Sequence, residues 1–391
     1  MGVLKRGNPQ STVNLAEEVE RGFDGLGKLP GRLDRYASAH ERTLVNLSHV
    51  NKRLQLNHDS LNPYFHHLQK VQRRMSACGH YLGFRHYFTV DQVRLTAARF
   101  CKDHLLCPLC AVRRGSKMVE TLVSKHAVVM AENPGLKMYM LTLTVKNGPD
   151  LAERHQHLKS SYQTLLDRRR DYKKKGWGLT EFAKIEGGVG SYEVTNRGNG
   201  WHPHLHLMIF TKQRINVAAL KREWAEITGD SHVLRIDPAR NPEDPAQDFL
   251  EVCKYALKFG DLTPEQNLDA YESLHGRRLI VSFGVFWGVK IPEQLTDEPL
   301  DGLPYFDMVY NFVAGSGYNL TGVTEVPLVD IECVDTESGE MSVVAVSVPP
   351  KLLQKSLPPF LFEYIQRKVD QRRSPALKPV RIITDPGNVN V

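Results

Sequence analysis

The segment Trp201 to Phe210 reads W-H-P-H-L-H-L-M-I-F, and its alternation admits few folds. Side chains of a strand point in turn to the two faces of a sheet, so His202, His204 and His206 share one face and Leu205, Leu207 and Ile209 the other. One face can bury against a core. Burying three imidazoles on the other is costly without partners, and two imidazoles about 7 Å apart along a strand can converge on a metal ion.

The residues just before this strand bring in a carboxylate. Ile185 to Asn196 reads as a strand, and Arg197-Gly198-Asn199-Gly200 is turn chemistry. A four-residue loop there sets Asn196 against Trp201, Glu193 opposite His204 and Thr195 opposite His202; a slip of one residue would send Glu193 to the other face. In that register Glu193, His204 and His206 form a two-histidine, one-carboxylate cluster. The same donors suit Fe(II) in an oxygenase and Zn(II) in a hydrolase, so ligand chemistry alone does not choose the reaction.

The flanking segments suggest how the strand is packed. Lys137 to Lys146 alternates and is rich in β-formers, and Leu151 to Lys175 has helical character with a basic end, Arg168-Arg169-Arg170 and Lys173-Lys174-Lys175. Asn216 is placed to cap a helix from Val217 to Thr228 that Gly229 ends. Ser231 to Asp237 reads as a strand, Asp244 to Phe259 as a helix and Arg278 to Trp287 as a strand again. The order β-α-β-β-α-β followed by a helix is the split pattern of a ferredoxin-like, RRM-like α+β fold, with a central antiparallel sheet and helices on one face.

The final helix carries E-V-C-K-Y-A-L-K from Glu251 to Lys258. Glu251 and Tyr255 are four apart on one helical face, with Lys258 a turn further on. A phenol with an ordinary pKa near 10 is a poor nucleophile at neutral pH, but a nearby Lys or a metal on the target assists attack, and Glu251 is a candidate general base. Alone, this pattern equally describes a surface ion pair beside an amphipathic ring.

Four of the six cysteines crowd between Cys78 and Cys110. In a reducing compartment that clustering reads as metal binding. Cys107-Pro-Leu-Cys110 is a thiolate knuckle, and Cys78 and Cys101 complete a zinc set in which His80 and His104 are alternative fourth ligands. Cys253 and Cys333 read as ordinary buried residues. Arg113 and Arg114 follow the knuckle and could offer charge to phosphates.

The net charge of +7 hides an asymmetry: residues 291–350 hold eleven Asp and Glu and no Lys or Arg, leaving +18 on the remainder. Such a body attracts polyanions, nucleic acid above all, although a solvated basic surface has the same composition. No apolar run reaches the roughly 18 residues of a membrane span, and the N-terminus lacks a signal-peptide core, so a cytoplasmic protein is expected.

In this order, SACGHYLGF, RFCKDHLLCPLC, MLTLTVKN, SYEVT, WHPHLHLMIF, EVCKYALK and RLIVSFG resemble the single-tyrosine replication initiators of rolling-circle plasmids, within the HUH endonuclease superfamily. The resemblance covers about residues 70–290. It implies His204 and His206 as metal ligands with Glu193 third, Tyr255 as nucleophile, Glu251 for the terminating step and Lys258 as the lysine after the tyrosine. It also implies Mg²⁺ or Mn²⁺ at the catalytic site and a bacterial, cytoplasmic protein that nicks single-stranded origin DNA. Arg113, Arg114, Arg168, Arg169 and Arg170 are then candidates for the DNA path. The expected organisation is a helical N-terminal region (1–70), a cysteine-rich zinc segment (71–130), the HUH domain (135–290), an acidic β-rich extension (291–350) and a basic tail (351–391). The extension would dock a host helicase or polymerase, or pack as a structural appendage; His202 has no assigned role. A transposase or relaxase of the same superfamily, a non-catalytic zinc-stabilised DNA-binding regulator and an Fe(II) oxygenase are the competing readings.

Overall fold

A computed structural model describes residues 28–56, 62–87, 90–178, 180–231, 233–240, 244–253, 262–290, 292–301, 303, 305–323, 328–334 and 341–347. Tyr255, Lys258 and the basic tail lie outside the described residues.

The described residues open on two helices, α1 (Leu29–Leu56) and α2 (Pro63–Ser76). Asn62 accepts from the Tyr64 N–H and Pro63 occupies the first turn, where its missing N–H costs nothing. A hairpin follows, β1 (Tyr81–Tyr87) and β2 (Gln92–Ala98), and then α3 (Pro108–Glu132).

The second body of structure is a mixed α+β unit built on one five-stranded antiparallel sheet. Its elements are β3 (Lys137–Thr144), α4 (Leu151–Lys175), β4 (Ile185–Asn196), β5 (Trp201–Thr211), α5 (Val217–Thr228), β6 (Leu234–Pro238), α6 (Ala246–Cys253), α7 (Pro264–Leu274) and β7 (Ile280–Gly284). The strands pair in the order β6-β3-β5-β4-β7, every neighbour antiparallel. Sequence-local chemistry sets the ends: Asp150 caps α4 and Gly176 closes it in a left-handed conformation, while Asn216 and Gly229 do the same for α5.

Each sheet face has its own core. Leu141, Leu143, Tyr192, Leu205, Leu207 and Ile209 pack with Leu158 and Leu165 of α4, Leu220 and Trp224 of α5, and Leu274 of α7. On the other face Met138, Val189, Met208 and Phe210 meet Met118 and Leu122 of α3 and Phe249 and Val252 of α6. Helices on one face only was therefore an incomplete expectation: the second face alternates between histidines at one end and large apolar residues at the other, and those apolar residues require a cover.

A smaller sheet pairs β2-β1-β8-β9, where β8 is Phe306–Val313 and β9 is Gly317–Val323. Strand β8 lies directly against β1, with Phe84 opposite Met308, so part of the acidic stretch shares a layer with the cysteine-rich segment. Strands β10 (Leu328–Val334) and β11 (Met341–Ser347) form a separate antiparallel pair within the acidic stretch expected to be β-rich. Among the described residues no helix is long and apolar enough to cross a membrane.

Candidate functional site

The turn after β4 is the four-residue loop its sequence suggests. Asn196 pairs with Trp201, Thr195 with His202, Glu193 with His204 and Ser191 with His206. Gly200 has φ +84, and an added Cβ there would lie 2.7 Å from the Gly148 carbonyl, so the close approach of the bridge between Gly148 and Trp201 excludes a larger residue.

That register brings three side chains to one point. Glu193 Oε1 lies 3.1 Å from His204 Nε2, and Glu193 Oε2 lies 3.1 Å from His206 Nε2. Their ligand atoms all fall within 4.8 Å of one another, close enough for one ion. Glu193 is only 1% exposed, so its charge needs a cation nearby. His204 Nδ1 is 3.3 Å from the His202 carbonyl, an acceptor, which makes Nδ1 the protonated nitrogen and leaves the Nε2 lone pair toward Glu193. His206 Nδ1 lies 3.1 Å from Thr142 Oγ1 on β3, a contact that fixes its ring plane.

His202 stands beside this cluster. Its ring centroid is 5.4 Å from that of His204. Its Nδ1 is 2.5 Å from Asn147 Oδ1, and Asn147 Nδ2 donates in turn to the Asn199 carbonyl, which assigns the amide orientation and protonates His202 at Nδ1. Burial first, then the neighbouring His204 and Arg197, lower its pKa, with Glu193 opposing. Thr142 and Asn147 were not candidates from the sequence, because only cross-strand and loop pairing brings them near the histidines.

Helix α6 covers the same sheet face, and Ser191 Oγ donates to the Val252 carbonyl. Glu251 precedes that residue and lies 3.6 Å from Arg240. Cys253, buried as expected, is the last described residue of this helix, and Tyr255 and Lys258 follow outside the described residues.

The four cysteines also converge. Cys78 Sγ is 3.6 Å from Cys107 Sγ and 3.5 Å from Cys110 Sγ, and Cys101 Sγ is 3.5 Å from Cys110 Sγ. A tetrahedral zinc with Zn–S near 2.3 Å needs S–S edges of about 3.8 Å, so the thiols are nearly at that spacing. The fourth corner is Cys101, and neither His80 nor His104 joins the group. Burial opposes ionisation of Cys107, but donors from Cys101, Cys110, Cys78 and Thr43 outweigh it and hold this thiol well below its usual value. Both clusters could hold a metal ion.

The candidate DNA-facing arginines divide. Arg113 is 3% exposed, and its guanidinium donates to the Leu295 carbonyl, the Tyr36 hydroxyl and Asp297, which turns it into the protein interior. Arg114 is half-buried, and burial lowers its pKa. Arg169 is also turned inward, donating to the carbonyls of Ile185 and Glu186. Arg168 pairs with Glu226 at 2.7 Å and Arg170 with Asp167 at 2.8 Å at the surface.

A family model described as a replication protein matches residues 92–304. A curated protein rep of Streptococcus pneumoniae serotype 2 is 28% identical over 253 residues, 59% of this chain and 75% of the relative. One of Lactiplantibacillus plantarum is 29% identical over 248 residues, 56% and 74% of the two chains. A third, of Staphylococcus aureus, is 25% identical over 196 residues, 47% and 80%. No solved structure matches the chain.

Proposed function

The chain belongs to the replication protein family, and on that premise we propose that it initiates rolling-circle replication by nicking single-stranded origin DNA, with Tyr255 as the nucleophile. One observation carries the reading. The Glu193, His204 and His206 cluster lies on the sheet face that α6 covers, and the Ser191–Val252 hydrogen bond ties that helix beside the cluster just before the tyrosine. Tyr255 is three positions along the chain from Val252, at most about 11 Å of reach. The antiparallel order β6-β3-β5-β4 is also the strand order expected of a ferredoxin-like HUH domain.

Glu193, His204 and His206 would hold the divalent cation, Mg²⁺ or Mn²⁺ by the family resemblance, which when bound draws charge from the phosphate oxygens as the bond order at phosphorus changes. The donor set fits, since a 1%-exposed carboxylate between two imidazoles is an anionic pocket. Tyr255 attacks the scissile phosphorus. Its Oη–P bond forms, the P–O3′ bond breaks, the phenolic proton passes to a base and the departing 3′-oxygen gains a proton. The products are a 5′-phosphotyrosine and a 3′-hydroxyl that primes synthesis. Because one phosphodiester replaces another, rejoining needs no ATP. Lys258 would stabilise the phenolate, and Glu251 would activate water or assist strand release when the round ends. The cysteines would hold a structural Zn²⁺.

The test is incubation of the protein with single-stranded DNA of its replicon and Mn²⁺, with adducts resolved on a denaturing gel. An adduct is expected from the wild type and from neither Tyr255→Phe nor His204→Ala/His206→Ala. Tight DNA binding and bound metal without an adduct would instead favour a non-catalytic regulator, and joining of donor ends to a target would favour a transposase.

A further inference from the structure

The metal cluster lies at one end of the five-stranded sheet, and the other end has a different character. There β4 begins, β5 ends and β7 ends: Ile185 pairs with Thr211 and Gly187 with Gly284. Thr211 is five positions beyond His206 on β5, about 17 Å along the strand. Two tryptophans stand out at this end. Trp177 follows the last turn of α4 and is 71% exposed; Trp287 follows β7 and is 76% exposed. The remaining two, Trp201 and Trp224, are buried, so the exposure is not general to the residue type in this chain.

The segments that carry them meet at Glu186. Its carboxylate is 2.7 Å from Lys173 of α4, and its carbonyl accepts from Arg169 of α4 and from Val285 beyond β7. The surroundings are basic. Lys175 Nζ lies 5.6 Å from the centre of the Trp177 ring. Lys174, Lys212 and Arg214 are exposed, and among the described residues none of the three makes an ion pair. Cations without an ion pair at the same end of the sheet as solvent-facing indoles are the two components of a surface that tracks a phosphate backbone while bases stack. An apolar partner would meet three unpaired charges that it could not neutralise, whereas a strand of nucleic acid neutralises them and covers the rings.

We propose that Trp177 and Trp287, with Lys174, Lys212 and Arg214, form a second single-stranded DNA-binding surface at the end of the sheet opposite the metal cluster. Its role rests on the replication reading above, in which a displaced or incoming strand must be held away from the cut.

The probe is a twenty-nucleotide oligo(dT), titrated into full-length protein carrying Tyr255→Phe, so that the measurement is independent of nicking. Tryptophan emission should quench on binding, because the other two indoles are buried. Trp177→Ala/Trp287→Ala should bind about ten-fold more weakly or worse, and Trp177→Phe/Trp287→Phe should recover most of that loss. Lys174→Ala/Lys212→Ala/Arg214→Ala should reduce the slope of log affinity against log salt by about two. Wild-type affinity in the double alanine variant, or an unchanged salt slope in the triple variant, would overturn the proposal and leave this surface to a protein partner. Loss of adduct formation by the Tyr255 variants would not bear on it.

Discussion

His155 shows how much a single side chain can commit. It sits on α4, fully buried, its ring 4.9 Å from that of Tyr192, and among the described residues neither ring nitrogen finds a hydrogen-bond partner. Burial, reinforced by Arg277 and Lys159, lowers its pKa from 6.5 to about 4. Between those values the unfolded chain binds a proton that the folded chain does not, so stability falls as pH falls through that window and is unaffected above it. The loss should be about 2 kcal/mol between pH 7 and pH 5. In His155→Phe that component should vanish, which urea denaturation at the two pH values would read; an equally steep decline in the variant would assign the effect to other groups. At the Glu193, His204 and His206 cluster, Glu193→Gln preserves shape and removes the carboxylate that lies between the two imidazoles. Mn²⁺ affinity, followed by electron paramagnetic resonance, should fall by at least about a hundred-fold, and retention within a few-fold would exclude Glu193 as a ligand. The cluster was legible in the sequence because strand periodicity is two and the loop length fixed the register. The buried position of Arg113 was not, because its acceptor, Asp297, is 184 residues away in sequence and no local pattern links them.

Among the elements, those with strong local signals match their sequence readings closely. Helix α4 runs from Leu151 to Lys175 because Asp150 caps it and Gly176 reverses the chain, and β5 runs from Trp201 to Thr211 because its alternation is unbroken. The β1–β2 hairpin and its partners β8 and β9 were not read, since the pairing of Leu82 with Tyr310 joins segments far apart in sequence. Helix α3 was not read either. Its start depends on Cys107, whose sulfur accepts from the Cys110 N–H at 3.5 Å, so cap and knuckle are the same residues. The cysteines come from the end of α2, the end of β2 and the start of α3, and a metal there would pin all three. Chelation, or Cys107→Ala, should therefore raise amide exchange first in residues 78–110 and leave β3, β4 and β5 protected, as followed by mass spectrometry. Uniform loss of protection would mean that the knuckle supports the whole fold. Gly79 in the same corner has φ +71, and an added Cβ would fall 2.2 Å from Leu109 Cδ2. Gly79→Ala should cost about 2 kcal/mol or more.

At the scale of the whole molecule, one carboxylate joins segments that the chain separates widely. Asp297 is 6% exposed and receives Arg113 Nη2 at 2.7 Å, Lys117 Nζ at 3.0 Å and Arg32 Nη2 at 3.3 Å, while the Leu95 N–H donates to it at 2.8 Å. Arg32 belongs to α1, Leu95 to β2, and Arg113 and Lys117 to α3, so the first helix, the small sheet and the knuckle helix all close on a loop beyond β7. Burial opposes ionisation of Asp297, but Arg113, then Arg32 and Lys117, outweigh it and hold the carboxyl below its ordinary 3.8. Its contribution is therefore complete above that value and is lost only as pH falls below it, the opposite end of the scale from His155. Removing the charge takes the carboxylate from Arg32 and Arg113, both almost wholly inaccessible to water, while Lys117 keeps Glu120 at 3.0 Å. Such breakage of a buried network costs about 3–5 kcal/mol. Asp297→Asn should thus destabilise by that order at pH 8 and pH 6 alike, while Arg170→Ala, removing a surface pair with Asp167, should cost under about 1 kcal/mol. Denaturant midpoints for both variants at both pH values decide the matter. A small, equal effect from the two would mean that the cations find other partners and that apolar packing, rather than Asp297, holds the N-terminal helix against the rest.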